Sequence, residues 1–141
     1  MQHTVLERFL PAIQTLPADR ALTKQDLLTE RFLIEKDGLI QMYYSPHNEY
    51  VNKDAKVVIV GITPGWSQMK TAFEQFVKYN KSGADLEICF IEAKKAARFA
   101  GSMRTNLIHM LNQCHLHHAL NIPDCAVLFE KSSDLLHTTS M

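Results

Sequence analysis

The sequence predicts an α/β fold, a small parallel sheet flanked by helices and preceded by a helical and β-hairpin segment. Three observations carry that prediction. The run Lys56-Val57-Val58-Ile59-Val60-Gly61 is apolar and β-branched, as strands buried in parallel sheets are, and it breaks abruptly into Ile62-Thr63-Pro64-Gly65-Trp66, a turn that can open a helix. After it, residues 67–78 and 86–97 repeat apolar side chains at helical spacing. Before it, Asp37-Gly38 separates two strand-like runs, a strong short-range hairpin signal.

The elements follow in order. Val5, Leu6, Phe9, Leu10 and Ile13 are spaced for a short amphipathic helix over residues 4–16, with Pro11 the one irregular position. Thr23 and Asp26 make a capping-box-like start before Leu27 and Leu28. The hairpin is expected to pair residues 32–35 with 39–44 around Lys36-Asp37-Gly38, outside the main sheet. Residues 45–54 are polar and contain Pro46, which reads as a loop leading to the central strand at Lys56. Met69, Ala72, Phe73, Phe76 and Val77 mark the following helix, which Gly83 closes. A second helix is expected over 86–97 and a third over 107–114. The apolar residues 126–129 and Leu135-Leu136 are expected to form the next strand region.

At 141 residues, 46% apolar and 21% charged, the composition fits one globular domain. Fifteen basic and fifteen acidic side chains cancel, so any nucleic-acid contact must come from a local basic patch. Cys89, Cys114 and Cys125 are widely spaced without a CxxC pair, which suits reduced thiols better than a disulfide framework or a zinc site. Glu7 and Arg8 interrupt the amino terminus before a signal-peptide apolar region forms, so a cytoplasmic protein with no membrane partner is expected. His115, His117 and His118 invite a metal reading, but no matching carboxylate or thiol pattern accompanies them, and no metal or other cofactor is expected. No GxxxxGK[ST], GxGxxG or GxSxG motif is present.

The stretch KVVIVGITPG resembles the first motif of the uracil-DNA glycosylase superfamily, closest to its mismatch-specific and thymine-DNA glycosylase branch, whose loop reads Gly, Ile, Asn, Pro, Gly. Two further segments are similar to that family: FAGSMRTNLIHML from Phe99, where the family places an aromatic ring that stacks on the extruded base, and SSDLLHTTS from Ser132, where uracil-specific members carry Leu, Leu, Asn. The resemblance runs from Lys56 to the end of the chain. It implies a DNA glycosylase that hydrolyses the N-glycosidic bond of a modified or mismatched pyrimidine, in repair or in defence, after flipping the nucleotide out of the duplex. The alternative is a catalytically inactive relative that binds nucleic acid or a protein partner through the same pocket.

The resemblance assigns roles residue by residue. Thr63 takes the catalytic position, where the family has Asp or Asn to orient or activate water; a hydroxyl can hold a water but is a poor base near neutral pH. Threonine before proline is equally at home in an extended turn. Gly61, Ile62, Pro64, Gly65 and Trp66 fall in the substrate-binding loop. Gly65 stands where strictly uracil-specific relatives place Tyr, which would leave room for a 5-substituent, or it simply serves the turn. Phe99 is the stacking ring or a core residue, and His137 the base-reading group or a structural histidine. Lys94, Lys95, Arg98 and Arg104 form a candidate DNA-backbone contact or a solvated helix face. The family's remaining strands and its final histidine motif have no counterpart before Met141, which implies a single domain incomplete at its carboxyl end. An unpartnered edge of the central strand is then expected to self-associate or take a protein partner.

Overall fold

In the computed structural model, which describes residues 3–131 and 133–140, α1 (His3–Gln14) buries Phe9 and Ile13 completely. Its periodicity therefore does what the spacing implied, with Pro11 tolerated inside the helix. The short α2 (Lys24–Leu27) opens at Thr23, whose backbone N–H donates to Asp26 Oδ2 at 2.7 Å. Arg20 grips both oxygens of that carboxylate, at 2.9 and 2.7 Å, and together these donors hold Asp26 well below the usual carboxylate range.

The hairpin forms as a separate antiparallel sheet of β1 (Leu33–Asp37) and β2 (Ile40–Tyr43). Its turn lies later than expected. Asp37 pairs with Ile40, so Gly38-Leu39 is the connection, and Gly38 takes a φ of +55°, which glycine adopts readily. Most of the hairpin is exposed, but Phe32 and Tyr44 at its base are buried. Phe32 meets Phe73 edge-on at 5.0 Å, and Tyr44 stacks on Phe9 at 4.5 Å.

Residues 45–54 are not simply a polar surface loop. Ser45, Pro46 and His47 enter a buried 3-10 turn (Pro46–Asn48), and burial is possible because the Ser45 hydroxyl and His47 Nδ1 satisfy each other at 2.7 Å. The chain then forms β3 (Val57–Gly61), α3 (Trp66–Lys81), α4 (Leu86–Ala97), α5 (Ser102–Gln113) and the short α6 (Leu116–Ala119). Helix α5 begins earlier than periodicity suggested, at the turn made by Gly101 with φ +84°.

Residues 126–129 do not form a strand. Asp124 accepts the Ala126 N–H at 2.7 Å and starts a 3-10 turn, Cys125–Phe129, whose Leu128 and Phe129 are buried as a plug. The next strand is β4 (Leu136–Ser140), parallel to β3 in a register running from Val57 against Leu136 to Gly61 against Ser140. A parallel pair needs a long crossover, which the intervening helices supply.

Two apolar clusters hold the chain. One packs α1, α3 and α4 around Phe9, Phe32, Phe73, Phe76 and Phe90; the other gathers Cys125, Leu128, Phe129 and Leu136 with Val57, Ile59 and Leu107. Only one face of β3 is covered. Val58 and Val60 are 58% and 59% exposed, so among the described residues the expected sandwiching of the central strand by helices does not hold, and β4 is its one strand neighbour. Cys89 and Cys125 are buried free thiols and Cys114 an exposed one. No described helix is long and apolar enough to cross a membrane.

Candidate functional site

The carboxyl ends of two adjacent parallel strands and the amino terminus of the helix that follows one of them surround a cavity of about 250 Å³. Its lining comes from distant parts of the sequence: Gly61, Thr63, Pro64 and Gly65 after β3, Gln68 in the first turn of α3, Ala97 to Phe99 at the end of α4, and Thr138 to Ser140 at the end of β4. His47 closes it from the buried 3-10 turn. Such switch-point crevices are where open α/β sheets take ligands.

Of the loop residues singled out from the sequence, Gly61, Thr63, Pro64 and Gly65 line this cavity and two do not. Ile62 is 76% exposed and Trp66 packs against the first apolar cluster beneath Lys24, and neither lines the cavity. Gly65 has extended backbone, φ −76°, so it is not required by strain. Space above it is taken: a Cβ built there would lie 2.6 Å from Gln68 Oε1. The room that a missing side chain at Gly65 was expected to leave holds an amide, which can both donate and accept.

Phe99 lines the cavity in a left-handed conformation, φ +48°, uncommon for a residue with a large side chain. It is half-buried and also touches the second apolar cluster, so the stacking and core readings describe the same ring. His137 is different. It is 9% exposed, its Nδ1 accepts the Asn52 N–H at 3.3 Å, and its neighbours Thr138 to Ser140, not the imidazole, face the cavity. Residues 138 to 140 alternate in facing, yet all three reach the cavity at the strand's carboxyl end, whereas His137, one residue earlier, is not among its lining. Burial, then the charge of Lys94, lowers its pKa. Ser132, where the third motif begins, lies outside the described residues.

The basic cluster is not a solvent-facing strip. Lys94 is 4% exposed and its Nζ donates to the Thr138 carbonyl at 2.7 Å, tying α4 to β4. Burial, helped by the Arg98 charge, pushes its pKa down to about 8. Arg104 turns back to cap α4, donating to the Arg98 carbonyl at 2.7 Å and the Lys95 carbonyl at 3.3 Å, where helix carbonyls lack partners. Lys95 pairs with Glu92 at 3.0 Å on the surface. Arg98 is buried, 6% exposed, and lines the cavity. Of the four, Lys94 and Arg98 are therefore corrected from backbone-phosphate contacts on an open face to buried groups, and Arg104 is half-buried against the end of α4.

Sequence reading missed His47 and Gln68. The first lay in a stretch whose polarity suggested a loop, and the second was one polar residue in an amphipathic helix. Burial, with Lys94 adding repulsion, pushes the His47 pKa down to about 4, so its ring is neutral over most of the physiological range. His115, His117 and His118 bring their ring nitrogens within 4.8 Å of one another, but none lines this cavity.

A Bacillus subtilis (strain 168) protein described as "Uncharacterized protein YoxB" is 45% identical over 141 residues, which is 100% of this chain and 54% of that protein. The chain spans about half the length of the curated relative it matches. No family profile and no solved structure matches the chain.

Proposed function

We propose that the cavity is the base pocket of a DNA glycosylase of the uracil-DNA glycosylase type, which hydrolyses the N-glycosidic bond of a modified or mismatched pyrimidine without a cofactor. One observation carries the reading: the three segments that resemble the family's motifs, far apart in sequence, meet at a single cavity at the strands' carboxyl ends. Its volume lies below the ~300–1,000 Å³ of drug-sized sites, which suits one extruded base.

In this reading the extruded pyrimidine stacks on Phe99, and the Gln68 amide takes the edge-reading role that the sequence alignment had given to His137. The Thr63 hydroxyl holds the attacking water near the sugar carbon. His47 is a neutral imidazole facing the same space, and it accepts the proton that the water loses as the new C–O bond forms and the base departs with the bonding pair. A base with a pKa of about 4 is weak, and threonine supplies no charge to an oxocarbenium-like transition state, so slow turnover is expected. Those same two features favour the second reading, a glycosylase-like module that binds an extruded nucleotide without cleaving it.

Incubating the chain with oligonucleotides carrying uracil, thymine opposite guanine, or bulky 5-substituted cytosines tests both. Free base together with alkali-labile strands is the expected result. Binding without release of any base across the panel would leave only the second reading, and neither binding nor release would overturn both.

A further inference from the structure

The turn that joins α5 to α6 carries His115, His117 and His118, all outside the cavity described above. On a regular helix residues 115 and 118 would be neighbours and 117 would point elsewhere. Here His115 precedes α6 in a left-handed conformation, φ +56°, and the three rings gather instead of spreading. The centroids of His117 and His118 are 4.1 Å apart, those of His115 and His118 5.3 Å, and those of His115 and His117 6.2 Å. One nitrogen from each ring lies within 4.8 Å of the other two. Leu116 and Leu120 of the same turn pack against the second apolar cluster, which fixes the backbone that carries the rings. Nothing in the fold occupies the rings themselves. His115 and His118 are exposed, no protein group among the described residues hydrogen-bonds any of the three side chains, and the buried Nδ1 of His117 has no partner to set its tautomer. His47 and His137 differ, since each has its Nδ1 engaged, by the Ser45 hydroxyl and by the Asn52 N–H.

We propose that this turn is a metal site in which His115, His117 and His118 ligate one divalent zinc ion and water takes the fourth position. Imidazole nitrogens with no carboxylate among them suit zinc and its late first-row neighbours and do not suit magnesium or calcium, which take oxygen ligands. The carboxylate or thiol pattern whose lack argued against a metal in the sequence is not required, because three histidines and a water complete a tetrahedral centre. Zinc–nitrogen bonds of ~2.0–2.1 Å bring the three nitrogens to about 3.4 Å from one another, a closure that exposed side chains on a fixed turn reach by rotamer adjustment. The backbone N–H of His115 donates to the Asn112 carbonyl at 2.9 Å, so an ion shared by His115, His117 and His118 ties the end of α5 to α6. Binding therefore stabilises the folded chain, and the site stands whether or not the cavity excises a base.

Calorimetric titration of the untagged chain, washed free of metal with chelator, tests the site. Zinc chloride should bind with one ion per chain, and magnesium chloride should not bind. Each of His115→Gln, His117→Gln and His118→Gln should weaken zinc by at least the ~10- to 100-fold that loss of an outer partner costs a metal site. The triple variant should lose binding, and saturating zinc should raise the melting temperature of wild type but not of that variant. Cys114→Ser, which removes the exposed thiol next to His115, should bind as wild type does. A readout on wild type alone needs no variant to fold: of the seven histidines, three should change their imbedded ring-nitrogen shifts at one equivalent of zinc. No saturable binding below about 1 mM zinc, binding that survives in the triple variant, its loss in Cys114→Ser, or shifts at fewer than these three imidazoles would each overturn the proposal.

Discussion

Acidification from pH 7 to pH 5 should cost this protein about 2 kcal/mol of stability through His47 alone. The ring is 9% exposed, and burial followed by the Lys94 charge lowers its pKa from 6.5 to about 4. In the unfolded chain the same ring titrates near its ordinary value. Between the two values the unfolded state takes a proton that the folded state refuses, so the stability is fully present above 6.5 and drains away as pH falls toward 4. Each pH step in that window is ~1.4 kcal/mol, and pH 5 lies one and a half steps below 6.5, which gives the figure of about 2 kcal/mol. Urea unfolding of wild type and His47→Gln at both pH values isolates the contribution, because carboxylates and His137 titrate in both proteins. Glutamine leaves Ser45 a partner and removes the titration. The variant should lose about 2 kcal/mol less than wild type on acidification. An equal loss in both, or an imidazole resonance for His47 titrating near 6.5, would refute the buried neutral ring.

Three other outcomes are expected. Lys94, with a folded pKa of about 8 against an ordinary 10.5, makes the protonated folded state less favourable below pH 8, so stability should recover as pH rises. Relative to Lys94→Met, wild type should gain about 1 kcal/mol between pH 7.5 and 9, and a flat difference would place the ammonium in water. Thr63→Asn should raise any single-turnover excision rate by about tenfold, less than the ~100-fold or more of a positioned acid–base group because the hydroxyl it replaces already holds the water, and an unchanged or lower rate would remove Thr63 from the water site. The uncovered face of β3, with Val58 and Val60 more than half exposed, and its open edge should make the chain associate in sedimentation, and Val60→Lys should weaken that association; a strictly monomeric wild type at all concentrations would contradict it.

What was legible in the sequence was mostly what local periodicity determines. Helix α4 falls on residues 86–97, as its spacing said, and the β3 run ends at the glycine that its composition marked. The third strand region was harder, because residues 126–129 and 135–136 are equally apolar and only the Asp124 cap, a side-chain contact to the Ala126 N–H, separates turn from strand. Burial of polar groups was not legible at all. Ser45 and His47 satisfy each other, and Lys94 meets a carbonyl of a strand 44 residues away, so the pairs that permit their burial exist only after folding. The basic cluster misled for the same reason. Four cations near one helix end look like a surface patch until Arg104 folds back to cap α4 and Arg98 turns inward.

The central claim, that this cavity receives an extruded pyrimidine nucleotide, is tested most directly by amide and methyl chemical-shift mapping during titration with a uracil-containing single strand. The account predicts that the largest shifts fall on Gly61, Thr63, Gly65, Gln68, Phe99, Met103 and Thr139, which line one cavity from three separate segments. Shifts confined to other surfaces, such as the His115 to His118 turn, or none at saturating strand, would contradict it.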